Sequence, residues 1–156
     1  MGTRKASLRA AGFYRTEIQR FRRETWYWQR LMGFRRTPAS AARTIASASP
    51  AYLRWSASVW RHRATVAHHK AQHPPNMRNW MCIHHYEGAW NDSGAPYYGG
   101  LQMSLSFQEH WGGWLLARKG TADHWTPLEQ IWTAARAERS LGYYPWPRTA
   151  RFCGLL

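Results

Sequence analysis

Between residues 8 and 32 the positions Leu8, Ala11, Tyr14, Ile18, Phe21, Thr25, Trp28 and Met32 recur at steps of three and four. That spacing predicts a helix with one largely apolar stripe, because residues so spaced share a face. Arg9, Arg15, Arg20, Arg22, Arg23 and Arg30 fall mainly outside the stripe, and Gly33 supplies a stop. Residues 1–7 are small, polar and basic and are expected to be poorly ordered. From Arg35 to Pro50 the chain is rich in Ala, Ser and Thr and reads as a linker with some helix. A second helix is expected over residues 51–72, with Tyr52, Trp55, Val59, Trp60 and Val66 as its apolar face, until Pro74-Pro75 breaks it. The two helices are expected to pair as a hairpin.

The second half is punctuated differently. Asn76 is placed to cap a short helix over residues 77–86 that Gly88 ends. Asn91, Asp92, Ser93, Gly94 and Pro96 are turn formers, and a short hairpin is expected around residues 95–103. Ser106 and Glu109 stand at capping-box spacing, and Gly112-Gly113 is expected to close that helix. Thr126-Pro127-Leu128-Glu129 combines a cap, a proline at the first helical position and a capping-box acid. Leu128, Ile131, Trp132, Ala135 and Leu141 follow at helical spacing up to Gly142. The proline-rich run from Tyr143 to Pro147 is expected to lie extended. The pattern therefore gives a mainly α chain in two parts: a helical extension over residues 1–75 and a small domain over 76–156.

Candidate chemistry gathers between Trp80 and Met103, around Glu87. An acid at a helix C-terminus faces the negative end of the helix dipole, and Trp80, Tyr86 and Trp90 lie close in sequence; both circumstances favour a carboxyl that keeps its proton. Asp92 is the nearest candidate for a second acid, because no other Asp or Glu occurs before Glu109. Its place in a turn equally suits bonding to its own backbone. Gly99 and Gly100 would let a backbone without Cβ atoms approach a ligand. Gln102 could hydrogen-bond a ligand, and Trp90 and Tyr98 could stack on one or pack in the core. His68, His69, His73, His84 and His85 cluster in sequence, but no zinc-binding spacing accompanies them, so neither a metal nor another cofactor is expected.

In order, Cys82, Glu87, Trp90, the polar turn to Pro96, Tyr98-Gly99-Gly100-Leu101-Gln102, Trp146-Pro147 and Cys153 resemble the catalytic domain of the resuscitation-promoting factors and related actinobacterial transglycosylase-like proteins. The resemblance covers residues 78–156, about half of the chain. It implies a lysozyme-like fold, mainly α with a short β-hairpin (α+β), and cleavage of the β-1,4 bond between N-acetylmuramic acid and N-acetylglucosamine in peptidoglycan. Glu87 would be the general acid and then the base; Gln102, Tyr98, Trp90, Gly99 and Gly100 would bind the glycan strand. A single acid doing both jobs suits a lytic transglycosylase, whereas water attack would make a muramidase. Three departures stand out: Cys82 lies a helical turn before Glu87 instead of beside it, the interval from Glu87 to Trp90 is one residue shorter, and Phe107 stands where a polar contact is expected. Cys82 and Cys153 would close a loop of about 70 residues if bonded; two free thiols are the alternative.

Charge divides the chain along the same line. Residues 1–75 hold 15 Lys and Arg against 2 acids, a net +13, and residues 76–156 add only +1 to reach the total of +14. Such a field favours a polyanion: nucleic acid, an acidic membrane surface, or a wall bearing carboxylates and phosphates. The basic half has no specific nucleic-acid signature, only charge with interleaved aromatics. Anionic wall polymers are the partner that fits the glycosidase reading, with the protein a monomer, secreted or cell-wall associated. No transmembrane run and no signal peptide are read from the sequence, which leans toward delivery by a phage, in a virion, or by an unusual export route. The alternative is a non-catalytic cationic protein that binds glycan or nucleic acid.

Overall fold

The computed structural model describes residues 2–156, with side chains from residue 5 onward. The chain forms two compact units, residues 1–71 and 72–156, and the division falls four residues before the expected one. Among the described residues there are seven α-helices and one two-stranded sheet.

The first unit is a helical hairpin. Helix α1 (Gly2–Met32) already includes the residues expected to be poorly ordered, apart from Met1, which lies outside the described residues. Ala11, Ile18, Phe21, Thr25 and Met32 of its stripe are buried. Leu8 is exposed, and Leu31, which the stripe omits, is fully buried. After Gly33, whose φ of 74° is the left-handed stop, the expected linker is tied down. The Thr37 backbone N–H donates to Gln29 Oε1 (2.9 Å) and Trp26 Nε1 donates to the Thr37 carbonyl (2.9 Å). Helix α2 (Ala42–Ser47) buries Ile45, and Arg15 donates to the Ile45 and Ala46 carbonyls at its end.

Helix α3 (Pro50–Ala71) corrects the expected apolar face. Its buried residues are Leu53, Ser56, Ala57, Trp60, Ala64, Ala67 and Ala71; of the predicted face only Trp60 is buried, while Trp55 and Val66 are exposed. Small side chains let two helices approach closely, so the alanine row makes the contact although the larger residues give the stronger pattern.

In the second unit, helix α4 (Met77–Glu87) starts at Asn76, but the Asn76 side chain caps nothing. The residue sits at φ 58° and its main-chain carbonyl accepts from the Asn79 and Trp80 N–H groups. Strand β1 (Tyr97–Tyr98) pairs antiparallel with β2 (Met103–Ser104), Tyr97 opposite Ser104 and Tyr98 opposite Met103. Helix α5 (Leu105–Lys119) is capped by Ser104, whose Oγ accepts from the Phe107 N–H, and not by Ser106. Gly112 bends this helix instead of ending it, because the Trp125 ring lies where a Cβ would be, 2.7 Å away. A 3-10 turn (Ala122–His124) leads to α6 (Pro127–Leu141), which carries both arms of the expected capping box. Ile131, Trp132 and Ala135 of its stripe are buried, and Leu141 is exposed.

The segment expected to be extended instead turns at Tyr143–Trp146 and enters helix α7 (Pro147–Phe152). Proline at the first helical position costs nothing there, because that N–H has no intrahelical partner. The core joins α4, the hairpin, α6 and α7 through Trp80, Ile83, Leu101, Met103, Ile131, Trp146 and Ala150, all buried. Mainly α with one short hairpin therefore describes the chain.

Candidate functional site

The loop from Gly88 to Gln102 is shaped by one buried side chain that the sequence reading passed over. Gln130 of α6 has no exposed surface; its Oε1 accepts from the Gly100 N–H (2.8 Å), and its Nε2 shares its two protons among the carbonyls of Trp90 (2.8 Å), Ala122 (2.9 Å) and Trp125 (3.1 Å). It gives the buried polar backbone groups at the base of the loop the partners that water would supply outside.

The same arrangement explains Gly99 and Gly100, which were expected to approach a ligand. Both are buried. A Cβ on Gly99 would lie 2.4 Å from Gln130 Oε1, and one on Gly100 would lie 2.6 Å from both His84 Nδ1 and the Trp90 ring. The close approach is to the protein's own side chains. Trp90 stacks on His84 at 3.8 Å between centroids and 18° between planes. His84 Nδ1 is 3.0 Å from the Gly100 carbonyl, and since a carbonyl only accepts, Nδ1 carries a proton.

Asp92 is occupied by its turn. Its Oδ1 accepts from the Gly94 N–H (2.9 Å), its Oδ2 accepts from Gln102 Nε2 (2.9 Å), and its carbonyl accepts from the Gly99 N–H (2.8 Å). Gln102, held at φ 48°, sends its Nε2 also to the Gly99 carbonyl (3.0 Å). Both of its amide protons are thereby used. This pair lies against the start of the loop: a Cβ on Gly88 would be 3.4 Å from Asp92 Oδ2 and 3.6 Å from Gln102 Nε2.

Glu87 is the last residue of α4 and is half-buried. Its Oε1 accepts from Thr149 Oγ1 at 2.7 Å, and Thr149 is itself buried in α7. Cys82 and Cys153 are bonded, with 6.0 Å between Cα atoms, so the end of α7 is joined covalently to α4 about a turn and a half before Glu87. The one-turn offset of Cys82 is accommodated because α7 lies alongside α4. Tyr86 and Phe152, both more than half exposed, bring their rings to 5.4 Å beside this junction. Phe107, where a polar contact was expected, packs edge-on to Trp146 at 5.6 Å.

The structure thus brings Asp92, Gln102 and the loop behind Glu87 together, while Trp90, Gly99 and Gly100 serve the packing below. Tyr98 is half-buried in the hairpin. The sequence pattern gives no role to Thr149, Phe152 or Gln130, and it marks Tyr86 only as an aromatic neighbour of Glu87. Thr149 has no local signature, since its role arises 62 residues from Glu87. Gln130 had one: a polar residue next to the apolar stripe of α6. Among the described residues no three His, Cys, Asp or Glu side chains are grouped to hold a metal ion. No family profile, curated protein or solved structure matches the chain.

Proposed function

We propose that the protein is a peptidoglycan-cleaving glycosidase of lysozyme-like type, a lytic transglycosylase or a muramidase, with Glu87 as its general acid and base. The observation that carries this reading is the contrast between two carboxylates. Glu87, half-buried, takes one oriented hydrogen bond from Thr149, whereas both oxygens of Asp92 are spent within its loop. A lone positioned acid suits a reaction in which one group acts twice. Protonated Glu87 gives its proton to the glycosidic oxygen as the bond to the muramyl C1 breaks. The resulting carboxylate then takes the proton of the C6 hydroxyl as that oxygen bonds to C1, leaving a 1,6-anhydro sugar. Thr149, as donor, holds the carboxylate in line for both transfers.

Gln102, with both amide protons committed, offers its carbonyl oxygen to an N-acetyl N–H or a hydroxyl. Tyr86 and Phe152 offer ring faces to the C–H face of a sugar. The first unit, at +13, would concentrate the protein on anionic wall polymers, and the disulfide suits a secreted or wall-associated protein, since such bonds persist in oxidising compartments. Glu87→Gln tests the reading: solubilisation of purified peptidoglycan should fall by about 10²–10⁴-fold, the usual worth of a general acid. Retained activity refutes it. Mass spectrometry of the released fragments separates anhydro ends from reducing ends, which carry one more water. The rival, a non-catalytic cationic glycan- or nucleic-acid-binding protein, draws on the charge of the first unit, and it predicts no fragments from the wild type.

A further inference from the structure

The outer side of α3 carries features that glycan cleavage does not use. Residues 52, 55, 59, 62 and 66 follow one another at alternating steps of three and four, so Trp55, Val59, His62 and Val66 share a stripe turned away from the alanine face. Trp55 is 59% exposed and Val66 38%, an uncommon display on a helix whose other side already supplies the core. The stripe runs into a cavity of about 290 Å³ next to the end of α1. Buried Met32 and Ala67 form its apolar floor, and Phe34, 50% exposed, and Val66 stand at its wall. Arg63 and Lys70 line it too. Arg63 is held in place by its guanidinium lying 4.7 Å from the centroid of the Trp60 ring. Helix α3 contains four Lys and Arg and no acid.

We infer that this face is an interfacial membrane-binding surface, on which Trp55, Phe34 and Val66 enter the headgroup region of an anionic phospholipid bilayer. Arg63 and Lys70 take a lipid phosphate, and the cavity takes the first apolar part of the same lipid. A basic helix with an apolar stripe and a tryptophan is the composition that lies in a bilayer interface. No described helix is long and apolar enough to cross a membrane, so the attachment is peripheral. A second copy of the chain is a poor occupant, because each first unit carries +13. A lipid supplies anion and apolar chain in one molecule, matching cations beside an apolar floor. The inference is independent of the glycosidase reading, since it uses no residue of the second unit.

Cosedimentation of the full chain with vesicles tests it, using phosphatidylcholine alone and phosphatidylcholine with about 30% phosphatidylglycerol at about 0.15 M salt. The wild type should pellet with the anionic vesicles only, and Glu87→Gln should behave identically. Phe34→Asp with Val66→Asp, at exposed positions and checked for native helicity by circular dichroism, should weaken vesicle binding about tenfold or more. The same variant should still bind a soluble glycerophosphate polymer as wild type does. Arg63→Gln with Lys70→Gln should lose vesicle binding comparably. The inference is overturned if Phe34→Asp with Val66→Asp binds anionic vesicles as tightly as wild type, which would leave charge alone as the cause. It is equally overturned if the wild type ignores vesicles yet binds an acidic amphipathic peptide.

Discussion

Thr149 carries the sharpest prediction at the scale of single residues. A hydrogen bond to a charged group is worth about 1.5–3 kcal/mol, so Thr149→Val should slow peptidoglycan solubilisation by about 10–100-fold if the bond persists through the transition state. Thr149→Ser, which keeps the hydroxyl, should stay within a few-fold of wild type in the same assay. Gln130 makes a different demand, on stability. Gln130→Ala leaves the Gly100 N–H and the Trp90 and Trp125 carbonyls without this partner, while the Ala122 carbonyl keeps the Trp125 N–H, at a cost of about 1–3 kcal/mol per stranded group. Urea unfolding should show a midpoint well below that of wild type. Glu87 was legible as a candidate because a helix stop follows it, but its orienting partner was not. Contacts such as Glu87 to Thr149 join distant parts of the chain, and no local pattern encodes them. Gly99 and Gly100 were legible as tight places, but spacing says that a Cβ does not fit without saying that Gln130, His84 and Trp90 exclude it.

At the scale of elements, capping chemistry was the most readable signal. Thr126 and Glu129 exchange both capping-box bonds, and Glu129 is further held by Lys119 Nζ at 2.8 Å from each carboxylate oxygen, although its side chain is fully buried. Thr126→Ala should cost about 1 kcal/mol, read as a lowered denaturation midpoint. Glu129→Ala should cost more, because it removes a fully buried carboxylate that accepts from both the Thr126 N–H and the partly exposed Lys119 ammonium. Where the sequence misled, the cause lay in competition between elements. Gly112 reads as a helix end, yet the helix continues because Trp125 packs into the space the glycine leaves. The face of α3 differs from the expected one because alanines share the buried side with Leu53 and Trp60, while Trp55 and Val66, which carry much of the period, lie outside.

For the whole molecule, the charge asymmetry and the two-part organisation were both visible in composition, because a fold's polyelectrolyte character needs no three-dimensional knowledge. Retention on purified cell walls should therefore fall steeply as salt rises, while turnover of short soluble glycan fragments should change little, since the second unit is nearly neutral. Comparing both quantities over a salt series checks this. In the second unit the link between Cys82 and Cys153, 71 residues apart, restricts the unfolded chain by about 4 kcal/mol in the entropy model. Thermal unfolding of this unit with and without reductant should differ by more than about ten degrees, since 1 kcal/mol is worth about 4–8 °C in a domain of this size.

That same link has a topological consequence. Glu87, Asp92, Gln102, Gln130 and Thr149 all lie between its two cysteines, so the proposed site sits on a closed ring of chain. A protease that cuts any one peptide bond in that ring opens it into a line and releases nothing. The nicked molecule still holds α4 and α7 side by side, and should migrate as one species on a non-reducing gel and as two on a reducing gel. For a protein proposed to work outside the cell, among hydrolases it does not control, the ring would let a first cut be survived.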